Sequence, residues 1–170
     1  GKGHALLSGI RAALEYSDAP AVCLIDADGQ HDPGEIPKLY ETLQRENADL
    51  VIGSREFHQG AVPWRSSIGN RVTAVVTAML LRRRLPDTQC GFRVLSRRFA
   101  ESVAAEVSGG RYETEMEMIV HAIRGKFRVA SAPIATIYEP GNRSSHFRKI
   151  SDSFRIYVRL LRTALRRPRP

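Results

Sequence analysis

The segment Asp26-Ala27-Asp28-Gly29-Gln30 holds the residue types best suited to chemistry. Residues two apart on an extended chain point the same way, so two carboxylates align while Ala27 turns toward the core. Gln30 adds a neutral oxygen at the next same-side position, and Gly29 lets the backbone bend. Hard oxygen donors in this number suit Mg²⁺ or Mn²⁺, which bind through one or two carboxylates and complete their shells with phosphates and water. A solvated turn whose aspartates cap the following helix would use the same residues. Position favours a ligand site: the apolar run over residues 21–25 reads as a buried strand, and Asp26 follows it directly. Ligands of open α/β sheets gather at the carboxyl ends of strands.

The elements that must position this segment alternate in type. Ala5, Leu6, Ile10, Ala13 and Leu14 recur at helical spacing before the strand at 21–25. Asp32-Pro33-Gly34-Glu35 predicts an N-cap, a proline at the first helical position and the reciprocal glutamate of a capping box, with Ile36, Leu39, Tyr40 and Leu43 as the apolar face. A second buried strand covers 49–53. This helix–strand–helix–strand order predicts an α/β architecture with a mainly parallel sheet. Beyond a polar loop at 56–63, the pattern predicts a helix over 66–84, a short strand at 92–95, helices near Arg97 and Glu113, strands at 127–130 and 134–138, and a final helix over 150–167.

The chain has 170 residues, 42% of them hydrophobic, enough for one domain with a substantial core. Disordered, collagen-like and disulfide-scaffold classes are excluded. Cys23 and Cys90 show no paired spacing that would suggest a zinc site. The longest apolar stretch, residues 72–81, is about half the ~20 residues a membrane span needs. Of the net charge of +8, all resides after residue 142, where nine basic side chains face Asp152 alone; residues 1–142 hold 17 basic and 17 acidic groups. Arg155, Arg159, Arg162 and Arg166 recur beside Phe154, Tyr157, Leu160, Leu161, Ala164 and Leu165, which predicts a basic amphipathic helix. Such a helix attracts an anionic membrane surface, or packs its apolar side on the domain. Base-stacking aromatics are not interleaved with it, so no nucleic-acid partner is expected.

Five ordered blocks together resemble glycosyltransferase family 2, the inverting enzymes of GT-A fold, and within it the polyprenyl-phosphate sugar transferases typified by dolichyl-phosphate mannose synthase. The blocks are Gly1-Lys2-Gly3-His4-Ala5, the stretch from Leu24 through Asp26-Ala27-Asp28-Gly29-Gln30 to Pro33, Asp49-Leu50-Val51-Ile52-Gly53-Ser54-Arg55, Asp87-Thr88-Gln89-Cys90-Gly91-Phe92-Arg93, and Tyr112-Glu113-Thr114-Glu115. The resemblance implies a Rossmann-related GT-A-like fold of mainly parallel sheet flanked by helices, in a partial domain over 1–149 followed by the basic helix and tail at 150–170. Family members begin with a nucleotide-cradling strand, a helix and a second strand; the chain opens where that first quarter has ended, so the domain is expected to be incomplete at its N-terminus.

The resemblance further implies Asp26, Asp28 and Gln30 around Mg²⁺ or Mn²⁺ on a nucleotide-diphosphate sugar, with Ala27 beside the donor and Arg55 near its diphosphate or sugar. Asp87 resembles the aspartate placed near the acceptor, where a carboxylate aligns or deprotonates the attacking oxygen; a turn-closing role is the alternative. Arg143 and Arg148, in a loop of cations and small donors, match the basic residues of donor-binding loops and can fork onto phosphate oxygens. Glu113 and Glu115 diverge if helical, which gives Glu115 little weight. The expected reaction moves one sugar to a polyprenyl phosphate, at the cytoplasmic face of a membrane that the protein touches peripherally. A sugar-phosphate nucleotidyltransferase, or a non-catalytic module that binds anionic surfaces through the tail, stands as the alternative.

Overall fold

The computed structural model describes residues 1–55, 87, 88, 90–110, 113–135 and 137. The predicted helices at 66–84 and 150–167, Arg143 and Arg148 lie outside the described residues. The order is α1 (Lys2–Tyr16), β1 (Ala21–Leu24), a 3₁₀ turn (Pro33–Glu35), α2 (Ile36–Arg45), β2 (Leu50–Arg55), β3 (Arg93–Ser96), α3 (Arg97–Glu106), α4 (Glu113–Arg124) and β4 (Val129–Ile134). None of these helices is long and apolar enough to cross a membrane.

Among the described residues the four strands form one sheet in the order β1-β3-β2-β4. β3 lies antiparallel to both β1 and β2, whereas β2 and β4 pair in parallel. Three strands therefore share one direction, as expected, but the sheet is mixed because β3 is inserted the other way between β1 and β2. Chain order alone gives no sign of that insertion, since β3 arrives after a long connection. Leu50, Val51 and Ile52 are buried in succession, so β2 is covered on both faces. α2 packs over β2, β3 and β4, while α1, α3 and α4 pack on one another and on β1, β3 and β4. Ile10, Leu39, Phe99, Met118 and Ile119 supply the fully buried helix faces.

Local signals explain most boundaries. Asp32 Oδ1 accepts from the Gly34 N–H at 2.8 Å, as the predicted N-cap requires. The expected reciprocal bond from Glu35 is replaced: Glu35 Oε1 accepts from the Ala135 N–H at 3.4 Å, and Oε2 pairs with Lys38 at 3.2 Å. Ser96 ends β3 and caps α3, its Oγ accepting from the Phe99 N–H. The strand expected at 127–130 is β4, which runs on to Ile134; positions 136 and 138 of the strand expected at 134–138 lie outside the described residues.

A buried carboxylate braces the sheet at the end where β2 and β4 begin. Asp49 accepts two 2.7 Å bonds from Arg98, one from Ser96 Oγ at 3.1 Å and one from the Arg128 N–H at 3.0 Å. Burial would raise its pKa, but these donors outweigh burial and hold the carboxyl below the usual aspartate value.

Candidate functional site

Because β1, β2 and β4 share a direction, their carboxyl ends meet at one end of the sheet, where β3 begins. The 25–31 turn, Arg55, the 87–92 segment and the exit of β4 all collect there. The Gly53 N–H donates to Phe92 O at 2.9 Å and the Ile137 N–H donates to Gln30 O at 3.0 Å, which ties the segments together.

The acidic turn differs from the extended geometry expected. β1 ends at Leu24, so the partly exposed Ile25 stands between strand and Asp26, and Ala27 and Asp28 form a turn. Ala27 is exposed rather than directed to the core. Gly29 adopts φ +78°, and the reversal lets Asp28 Oδ1 accept from the Gln30 N–H at 3.1 Å. Two apolar residues in a row at 24 and 25 resemble a longer strand, which is why the sequence pattern overruns its end.

Asp26 is engaged from two sides. Lys2 Nζ, at the first turn of α1, lies 2.7 Å from Asp26 Oδ1 and 2.8 Å from Glu115 Oε1. Burial alone would lower the Lys2 ammonium, yet the Glu115 charge and hydrogen bonds to both carboxylates outweigh it and raise its pKa above the ordinary lysine value. On the other side Gly91 packs so closely that a side chain there would collide with the Asp26 carboxylate. Gly3 has a related role: its N–H donates to Gly110 O at 3.0 Å, and a Cβ would strike Thr114 Oγ1 and the Gly110 backbone. The Gly1-Lys2-Gly3 text thus lets α1 start hard against α4, which carries Lys2 to Glu115 and Asp26. Glu115, given little weight from sequence, is a buried member of the site.

Asp87 is buried and forked onto Arg55, with Nε to Oδ2 at 2.6 Å and a terminal nitrogen to Oδ1 at 3.2 Å. The two residues predicted for acceptor and donor sides are therefore joined directly. Beneath them Arg93, with no exposed surface, donates to Cys90 O at 2.9 Å, Thr88 O at 2.9 Å and Glu115 O at 2.6 Å. Burial lowers its pKa against the pull of Glu115, and a guanidinium stays charged regardless. Arg93 thus fastens the Asp87 segment to the start of α4. Nothing in its position within a strand pattern signals this; a lone arginine at a core-facing strand position is the only available hint.

His31 is buried against Phe92, with ring centroids 5.5 Å apart, and its Nε2 stands 4.0 Å from Cys90 Sγ. Burial lowers its pKa despite the nearby Asp26 and Asp28. Burial likewise pushes the Cys90 thiol up to about 11, which leaves it un-ionised and unreactive at neutral pH.

Among the described residues, four carboxylates (Asp26, Asp28, Asp87, Glu115) face three cations (Lys2, Arg55, Arg93) at this end of the sheet. No three His, Cys, Asp or Glu side chains converge as a complete metal cage among them. A pair of carboxylates on an open turn fits a Mg²⁺ or Mn²⁺ ion that takes its remaining ligands from a bound phosphate and water, and not a closed structural ion.

A mixed sheet covered on both faces, with an acidic turn at the carboxyl end of a strand, defines a GT-A-like α/β fold. Crystalline glucosyl-3-phosphoglycerate synthase from Mycobacterium tuberculosis shares that fold with a TM-score of 0.68 at 18% identity, over 96% of this chain and 55% of that one. The same synthase solved with Mn²⁺, uridine diphosphate and glucosyl-3-phosphoglycerate superposes with a TM-score of 0.65. The family model for glycosyl transferase family 2 matches residues 1–103, and the chain belongs to that family. It is 30% identical over 166 residues to the UDP-N-acetylglucosamine–dolichyl-phosphate N-acetylglucosaminyltransferase of Methanococcus voltae, covering 95% of this chain and 64% of that relative.

Proposed function

We propose that this chain belongs to a transferase that moves one sugar from a nucleotide-diphosphate donor to a polyprenyl phosphate with inversion. The observation that carries the reading is the meeting of Asp26 and Asp28 with the Arg55–Asp87 fork at one end of the sheet. It is supported by the Methanococcus relative, whose name specifies a dolichyl-phosphate acceptor. In the reaction an acceptor phosphate oxygen attacks the anomeric carbon, the bond from that carbon to the donor diphosphate breaks, and the nucleoside diphosphate leaves with the electron pair.

The residues take distinct parts. Asp26 and Asp28, with Gln30, would hold Mg²⁺ or Mn²⁺, which when bound offsets charge on the departing diphosphate. Among the described residues four carboxylates face three cations, and a diphosphate adds further negative charge, which such an ion would offset. Ala27, exposed on the turn, leaves the donor room to approach. Arg55 meets the diphosphate or its sugar, held in plane by Asp87. Asp87 aligns the acceptor; a phosphate acceptor is already ionised, so alignment outweighs proton removal. Arg143 and Arg148 close on the donor, and the basic segment at 150–170 holds the protein peripherally at an anionic membrane on its cytoplasmic face.

The test is turnover of UDP-N-acetylglucosamine and other UDP- and GDP-sugars with a polyprenyl phosphate, followed by nucleoside diphosphate release. Asp28→Asn keeps shape and removes a charge, and should cut turnover at least about tenfold. Release of pyrophosphate instead would identify a nucleotidyltransferase. Vesicle co-sedimentation tests the membrane part: binding to anionic but not neutral vesicles at low salt is expected, and the joint change of Arg155, Arg159, Arg162 and Arg166 to Gln should abolish it. No binding to anionic vesicles removes the membrane role.

A further inference from the structure

Among the described residues, Lys2 touches a proposed metal ligand, Asp26, while holding a second carboxylate, Glu115. Its ammonium is 2.7 Å from Asp26 Oδ1 and 2.8 Å from Glu115 Oε1, with about a third of the side chain exposed. Its backbone is fixed by the close contact of Gly3 with Gly110 and Thr114, and the Gly110 N–H is in turn held by Thr114 Oγ1 at 3.0 Å. The side chain is therefore a short tether from a rigid anchor. Glu115 is no less fixed, since its own carbonyl accepts from the buried Arg93. Asp26 cannot retreat from the ammonium toward β3, because Gly91 already packs against its carboxylate. A divalent cation approaching Asp26 thus meets an oxygen in use and a positive charge a few ångströms away.

We infer that Lys2 is a tethered competitor for the Asp26 carboxylate, and that Glu115 is the position onto which its ammonium retires when a divalent cation binds. The inference rests on the metal role proposed for Asp26 and Asp28. In the absence of cation the ammonium keeps Asp26 compensated, which prevents two neighbouring carboxylates from repelling each other. When a cation takes Asp26 Oδ1, the ammonium needs only to shift its hydrogen bonds to the carboxylate it already touches. The cation then experiences less repulsion, and Lys2 stays anchored without entering solvent. Lys2 and Glu115 are positioning residues in this scheme, since both act on the cation through Asp26.

The scheme makes opposite predictions for the two residues, testable with Mn²⁺ alone, without donor or acceptor. Mn²⁺ binding, read by calorimetry and by the paramagnetic signal of the free ion, should tighten about tenfold in Lys2→Met and weaken about fivefold in Glu115→Gln. Long-range charge alone would give the same signs, so the double variant decides. If Glu115 serves as the resting place of Lys2, Glu115→Gln should change Mn²⁺ affinity less than about twofold in the Lys2→Met background. Additive effects in the double variant, or a Lys2→Met protein with unchanged or weaker affinity, overturn the inference while leaving the metal site intact. Failure of both the unmodified protein and Lys2→Met to bind millimolar Mn²⁺ overturns the metal reading and this inference with it. Thermal melts of all four proteins confirm that each is folded when titrated; should Lys2→Met not fold, Lys2→Gln replaces it in the same cycle.

Discussion

Replacing Gly91 with alanine should damage the site while sparing the fold. A Cβ at this position would lie 2.6 Å from Asp26 Cγ and 2.8 Å from Oδ1, and closer still to Oδ2. Ordinary contact begins at 3.4 Å, so Cγ alone must move by 3.4 less 2.6, or 0.8 Å, and Oδ2 by more. Asp26 is a short side chain pinned by Lys2 at 2.7 Å, so a shift of that size breaks the ion pair or tilts the turn. A misplacement near 1 Å of a group that positions a reacting ligand costs on the order of a hundredfold in turnover. Stability should respond much less. Gly91 does not use the positive-φ backbone that alanine resists, and an extra methyl that a partly exposed carboxylate can avoid costs about 1 kcal/mol, or about 2–4 °C in melting temperature. The assay pairs Mn²⁺-dependent donor turnover with thermal melting. Near-normal turnover in Gly91→Ala would refute the argument that Asp26 must stay where Lys2 and Gly91 hold it, and a melting loss of 15 °C or more would show that Gly91 serves the fold instead.

Asp87→Ala should lower saturated turnover more than donor affinity; weakened donor affinity with turnover intact would confine Asp87 to orienting Arg55 and remove its acceptor role. Asp49→Ala, far from the site, should cost about 1–2 kcal/mol by leaving the Arg128 N–H without its acceptor, visible as a lower denaturant midpoint at pH 7 with the slope unchanged. Because the folded pKa of Asp49 lies below the unfolded value near 3.8, its contribution is fully present above that value and is lost as pH falls through the folded one. The stability gap between the two proteins should accordingly narrow as pH drops below about 4, and a gap that widens there would overturn the assignment of that shift.

What the sequence by itself determined is what short stretches of chain decide. The order of helices and strands follows from apolar periodicity, and the Asp32 cap follows from side-chain chemistry within two residues. Asp26 and Asp28 were legible because an apolar strand followed by paired carboxylates is a local pattern, although the same pattern overran β1 by one residue and misdirected Ala27. Five blocks in order also made the family legible. The tertiary structure alone decided which distant groups meet. Lys2 and Glu115 are far apart in the chain, and no spacing rule couples them; the close packing of Gly3 on Gly110 brings them into an ion pair beside Asp26. Nothing local tells what a lone arginine in the short strand β3 meets; three backbone carbonyls satisfy Arg93 in the core. The antiparallel insertion of β3 likewise depends on where a long connection returns, a matter of global packing that local propensity does not encode.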